Sequence, residues 1–345
     1  MFNRSSPSRL KDMLLLTGLL GFFILGFYAA GHLFTPGKNQ TFILGQEDFA
    51  SSYAASASGP RLGHVTSESI SLQEEGSSAF YFTSPDEILI LPKRGDKSGM
   101  IPVRSYNLLN KQMSHGELKA PFNSVFYSDG YFIGIDMDNA FVQNSKDPDD
   151  YRFLFEELYY KRRLGLLMDS GVNLSGISEE KIADASFDRD TDSLYLSAQY
   201  NNRTAGLFQF QMETGSLKLL AKEAYIDTFQ ILSNHNILYK RPRGLFLLDV
   251  SSGSSQQIVE AKVLNFSVSA DGQELAYTAI NERGVTELYG MYMDQRQGKE
   301  LREHSLLYSN LPNVQALAWA NDRLLCLNRQ PTGSYQLYRF TLKNE

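Results

Sequence analysis

Residues 268–278 read Val-Ser-Ala-Asp-Gly-Gln-Glu-Leu-Ala-Tyr-Thr, and this stretch decides the fold. Asp271-Gly272 supplies the φ > 0 position that a tight hairpin needs, with apolar residues on either side. The chain runs on through Glu287-Leu288-Tyr289-Gly290-Met291-Tyr292 to a turn at Gly298 and a further apolar run at Leu306-Leu307-Tyr308. In physical terms this is strand, Asp-Gly turn, strand, loop, strand, turn, strand: a four-stranded antiparallel unit.

Weaker copies of the unit recur from Val65 onward, and fixed-period self-similarity signals a repeat architecture. They centre on Ser84-Pro85-Asp86, Ser128-Asp129-Gly130, Phe187 to Leu196, Leu232 to Tyr239, and Leu317 to Leu324. The first core position of each second strand is Ile88, Phe132, Leu194, Ile237, Leu275 and Leu324, giving intervals of 44, 62, 43, 38 and 49 residues. Four of these five lie near the 40–50 residues of a four-stranded blade. The sequence therefore predicts an all-β, six-bladed β-propeller. The last copy ends near its third strand, at Tyr335-Leu337-Tyr338-Phe340, while Ser67–Leu72 precedes the first copy. An N-terminal strand is thus expected to complete the last blade and close the ring.

In Ser269-Ala270-Asp271-Gly272 and Leu288-Tyr289 the chain resembles the TolB-like propellers, whose blades carry a Ser-Pro-Asp-Gly-type turn and a Leu-Tyr strand. Ser84-Pro85-Asp86 and Ser128-Asp129-Gly130 match in part. The resemblance covers roughly residues 65–345 and is strong in one blade only. It implies a binding or scaffolding role and no catalytic residues, because the motif is structural.

The 62-residue interval holds extra chain, including Asn144 to Asp150 and then Tyr151 to Arg163. Tyr151–Arg163 admits two readings. As a helix it has Asp147 as cap, Pro148 in the first turn, acids early and bases late. As the third strand of the second blade it keeps register, with Leu154 and Leu164 matching Leu207 and Leu217.

The first 63 residues are a different material. Met13–Phe34 contains no Asp, Glu, Lys or Arg, and a stretch of that length matches the hydrocarbon thickness of a bilayer. Arg4, Arg9 and Lys11 precede it and only Lys38 follows closely, an asymmetry that keeps the N-terminus cytoplasmic and exports the rest. The expected organisation is a cytoplasmic N-terminus (1–12), a transmembrane signal anchor (13–34), a Ser/Ala-rich flexible stalk (35–63) and a propeller (64–345). Ala29-Ala30-Gly31 leaves a cleaved signal peptide as the competing reading.

The formal net charge is −6 and the basic clusters are short, Lys161-Arg162-Arg163 and Lys240-Arg241-Arg243. Both read as solvated turn residues, and no basic face points to nucleic acid. The single cysteine, Cys326, lies in an apolar run and reads as a buried, reduced small hydrophobe.

No G-x-S-x-G, no H-E-x-x-H and no Gly-rich phosphate loop occurs, and His32, His64, His115, His235 and His304 are scattered. Asp188, Asp190 and Asp192 alternate as calcium ligands do, but Ser193 and Gln199 stand where an EF-hand needs Gly and Glu. These acids read as a polar hairpin turn, and Asp136 and Asp138 are treated alike. No catalytic, cofactor-binding or metal residue is therefore assigned. The expected function is a membrane-anchored, non-enzymatic module that binds a protein of the cell envelope. The alternative is a small-molecule or metal-dependent site, sensor or hydrolase-type, in the central channel.

Overall fold

The computed structural model describes residues 59–72, 78–92, 100–119, 124–135, 140–147, 149–153, 182–201, 204–214, 216–223, 225–293, 304–320 and 323–343. Strand β1 (Arg61–Ile70) comes first. Blade 1 is β2 (Ser78–Ser84), β3 (Glu87–Pro92), β4 (Met100–Asn107) and β5 (Gln112–Lys119). Blade 2 is β6 (Ser124–Ser128), β7 (Tyr131–Ile135), β8 (Ala140–Asn144) and β9 (Tyr151–Phe153). Blade 3 is β10 (Ile182–Asp188), β11 (Ser193–Asn201), β12 (Thr204–Gln211) and β13 (Leu217–Glu223). Blade 4 is β14 (Phe229–Ile231), β15 (Ile237–Arg241), β16 (Gly244–Asp249) and β17 (Ser254–Val259). Blade 5 is β18 (Val263–Val268), β19 (Glu274–Ile280), β20 (Thr286–Tyr292) and β21 (Ser305–Ser309). Blade 6 is β22 (Val314–Ala320), β23 (Arg323–Arg329) and β24 (Tyr335–Lys343), completed by β1.

The six four-stranded antiparallel sheets make a six-bladed propeller, as the repeat spacing predicts. Closure is also as expected. β1 pairs antiparallel with β24 from Arg61↔Lys343 to Ile70↔Tyr335, so the N-terminal strand is the outer strand of the last blade. The ring takes in the final residues of the stretch read as stalk, because β1 begins at Arg61 and Leu62 packs against the blade 5–6 cluster.

Each seam between neighbouring blades has its own apolar cluster, which explains the sequences of the second strands. In β3, Ile88 and Ile90 pack toward blade 6, while Leu89 and Leu91 pack toward blade 2. A strand buried on both faces reads as a continuous apolar run rather than an alternating one. The six aligned second-strand positions are all buried, from 0% exposure at Ile88, Leu194, Ile237, Leu275 and Leu324 to 8% at Phe132.

Blade 2 departs from the expected register. Its third strand is the short β8, and Tyr151–Phe153 is the fourth strand, with Phe141 opposite Phe153. Ala140–Asn144 already occupies the place beside β7, so a strand that starts at Tyr151 can pair only on the far side of β8, as the fourth. The remainder of 151–163 and the stretch to 181 lie outside the described residues, as do Met13–Phe34, Lys161-Arg162-Arg163, Asp136 and Asp138. Among the described residues no helix is long and apolar enough to cross a membrane.

Candidate functional site

Strand alternation sorts the connections onto two faces. Turns joining first to second and third to fourth strands share one face, here called the turn face; the other connections share the opposite face. The first strands are innermost, since β22 contacts β2 and β18, and β10 contacts β6 and β14. They line the central channel.

The two faces differ in charge. On the turn face the first-to-second turns carry Asp86, Asp129, Asp190, Asp192 and Asp271, and the third-to-fourth turns carry Asp147, Asp149, Asp150 and Glu213. The described bases there are Lys111, Lys146 and Arg189. On the opposite face the described connections balance Arg243, Lys262 and Arg283 against Asp227, Glu260 and Glu282. Among the described connections the turn face is therefore the acidic one.

Local geometry explains why carboxylates stand there. Asp271 accepts the Ser269 hydroxyl at 2.6 Å and the Gln273 amide at 3.0 Å, and the two bonds hold its pKa below the usual carboxylate range. Gly272 at φ 73° completes that turn. Asp249 accepts the hydroxyls of Ser251 and Ser252 at 2.6 and 2.8 Å, with their amides behind them, which lowers its pKa to about 2. Asp147 accepts the Asp149 amide at 3.1 Å. Each carboxylate closes a turn, and the charge is left facing solvent.

Two of the alternating acids of blade 3, Asp188 and Asp192, are engaged by protein groups. Asp188 accepts the Asp190 amide at 2.9 Å and the Thr191 hydroxyl at 2.8 Å, and His235 Nδ1 of blade 4 lies 3.1 Å from it. Asp192, at φ 47°, pairs with Arg152 of blade 2. Among the described residues no group of three or more His, Cys, Asp or Glu is placed to hold a metal ion.

One reading of the basic clusters is corrected. Lys240 is no solvated turn residue, because β15 continues through Arg241. Its ammonium group lies 2.5 Å from the Asp227 carboxylate and donates to the Leu264 carbonyl at 2.7 Å, tying blade 4 to blade 5. Arg241 pairs with Glu223 at 3.1 Å and covers the Phe246 ring at 4.5 Å. The turn itself is Pro242-Arg243, both exposed. Cys326 is a buried free thiol, as expected.

Sequence reading missed Asp184. It sits on β10 at the wall of the channel and accepts the Thr228 hydroxyl, the Phe229 amide at 3.1 Å and the Ala185 amide at 2.9 Å. Burial among protein atoms outweighs those bonds and pushes its pKa up to about 6. Tyr81 of blade 1 and Tyr127 of blade 2 lie nearby on the channel side, their rings edge-on at 5.8 Å. The only local signal was an Asp between two alanines near the start of a first strand.

No family model matches this chain, and no curated protein does. Solved structures do. The β-propeller domain of Cps50 (Swd1) from Myceliophteria thermophila is 10% identical, with a TM-score of 0.46, over 81% of this chain and 99% of that one. Raptor from Chaetomium thermophilum is 11% identical at a TM-score of 0.47, over 79% of this chain and 24% of that one. A protein described as a TolB, from Agrobacterium tumefaciens, is 10% identical at 0.45, over 73% and 79%.

Proposed function

We propose that this chain is a non-enzymatic propeller, tethered to a membrane through Met13–Phe34, that binds a protein of the cell envelope through its acidic turn face. One observation carries the choice of face: the described turns on that face are rich in Asp, while the connections opposite balance their charges. A face with an excess of acids, built on a rigid ring, attracts a basic surface and speeds its approach. The exposed Leu109 and Tyr151, at 75% and 53%, stand in or beside third-to-fourth turns of the same face and add apolar contact area. The asymmetric basic residues around Met13–Phe34 support an extracytoplasmic position for the ring.

The test is crosslinking in native membranes with a C-terminally tagged chain, followed by identification of what is captured. A reproducible partner is expected. Its capture should survive replacement of Met13–Phe34 by an unrelated spanning helix, and should fall several-fold in the charge-reversed Asp190→Lys/Asp271→Lys variant and at raised salt. Capture that follows the spanning helix, or is indifferent to both the reversal and salt, overturns the proposal.

A further inference from the structure

The chain enters the ring on the side that carries the acids. In blade 6 the place of a third-to-fourth turn is taken by two chain ends, because β24 closes at Lys343 and β1 opens at Arg61, the residue paired with it. β24 runs toward the turn face, since β23 starts from that face at Arg323, and β1 runs away from it. Whatever precedes β1 in the chain therefore arrives from the turn-face side.

The entry is packed into the ring. Gly59 and Pro60 are buried against the outer half of blade 5. A Cβ on Gly59 would overlap the Ser305 side chain of β21, and a Cβ on Gly290 of β20 would meet the Pro60 ring at 2.9 Å. Gly290 and Ser305 are register partners, so one point on blade 5 grips both residues. Packing with no room for a methyl group fixes the path of the chain there. Exposed Arg61, Arg323 and Lys343 stand beside the entry, at strand ends of blade 6. Most of the described acids of the face lie across the ring, in turns of blades 2 and 3 that include Asp147, Asp149, Asp190 and Asp192. Entry and acidic region thus share a face without overlapping.

We infer that the partner of the acidic face is an integral protein of the same membrane to which the chain is tethered, one that presents basic extracytoplasmic loops. This rests on the tethered, protein-binding reading above. Between Phe34 and Gly59 there are 24 residues, and a chain of that length reaches at most about 85 Å when fully extended. Because the tether leaves from the acidic side, an occupant of that face shares its side with the tether and lies within that reach of the bilayer. A tether in the same membrane also raises the local concentration of the ring at such a partner, so that modest charge attraction suffices for binding. A freely soluble partner gains nothing from the tether. Anionic lipid headgroups are repelled by the acids.

Photocrosslinkers are attached in native membranes to Thr214→Cys, in the β12–β13 turn of the acidic face, and to Glu282→Cys, in the β19–β20 connection of the other face. Both positions are exposed, and buried Cys326 does not compete for the reagent. Thr214→Cys is expected to give several-fold more protein adduct than Glu282→Cys, with a partner that resists alkaline carbonate extraction. Protease cleavage of the full-length chain at a site introduced within residues 45–57, before crosslinking, should lower that adduct several-fold, since the ring is then free to diffuse away. An adduct that carbonate releases, or one undiminished by the cleavage, overturns this inference and leaves a protein-binding face standing. Equal adducts from the two positions, or adducts to lipid alone, overturn it too. No protein adduct at either position overturns it together with the reading it rests on.

Discussion

Trp319 donates its indole N–H to the Ser267 carbonyl at 3.1 Å, and its backbone amide lies 3.1 Å from the Ser267 hydroxyl. One residue of blade 5 thus receives both donors of one residue of blade 6, across a separation of 52 positions in the chain. Such a bond crosses the seam where apolar packing alone would let the blades slide.

Trp319→Phe keeps an aromatic ring but removes the donor, leaving the Ser267 carbonyl without that partner. The expected cost is about 1–3 kcal/mol, the penalty for stranding a partly buried polar group. Denaturant unfolding measures it. Ser267→Ala should cost less, since it removes the hydroxyl and keeps the carbonyl. A Trp319→Phe chain as stable as the original would show that the seam depends on packing only.

The fold was legible because each blade repeats one local rule. Turn residues at Asp86, Asp129 and Asp271 mark the first hairpin, and Ile88, Phe132 and Leu275 then enter buried strands. Closure by β1 was legible from bookkeeping, since the last copy lacked one strand. Blade 2 was misread in register because β8 and β9 are only five and three residues long. Strands that short carry little periodic signal. Lys240 was misread because a lysine beside two arginines looks like surface, while its partner Asp227 lies 13 positions away and Leu264 comes from another blade. The acidic face was hidden for a different reason. Its carboxylates are spread from Asp86 to Asp271, and only strand alternation gathers them. Asp184 shares that difficulty, for its donors come from residues 44 and 45 positions later.

Ring closure gives a second prediction. Phe340 of β24 has 0% exposure and lies opposite both Val65 of β1 and Leu324 of β23. Phe340→Ala should cost about 3–5 kcal/mol by cavity formation and lost burial. Removing residues 59–70 takes away the whole outer strand, exposes the edge of β24 and leaves Arg339 without the Glu68 carboxylate that pairs with it at 2.6 Å. An open edge is a template for pairing with another chain. The shortened chain should therefore self-associate, as measured by sedimentation, whereas Phe340→Ala should stay dispersed at its lower stability.

Cys326 gives a third. Its thiol has 0% exposure and donates to the Asn328 carboxamide oxygen at 3.1 Å, and burial pushes its pKa far above the ordinary value. The reactive species is the thiolate, so native protein should leave a thiol reagent almost unconsumed at pH 8. Denaturant should release one equivalent per chain. Labelling rate then reports opening of the blade 5–6 cluster, because Cys326 packs with Leu288, Leu311 and Phe340 there. Cys326→Ala should fold, at a modest cost, and should lose the labelling altogether.

The turn carboxylates make the last prediction, and its sign is fixed by the direction of their shifts. Hydroxyls of Ser251 and Ser252 lower Asp249 from 3.8 to about 2, and Ser269 with the Gln273 amide lowers Asp271. A depressed carboxylate stabilises the fold above its unfolded pKa and ceases to do so as pH falls through the folded value. The contribution of Asp249 should thus be whole above about 4 and lost on acidification toward about 2. Carbon-13 NMR of the side-chain carboxyl measures the midpoint directly. In Ser251→Ala the midpoint should move up toward 3.8, since the largest single cause is gone. An unshifted midpoint would mean that the Ser252 bonds and the turn's backbone amides hold the charge unaided. Asp184 moves in the opposite sense, so acid between about 6 and about 4 should strengthen the blade 3–4 seam before further acid unpins the turns.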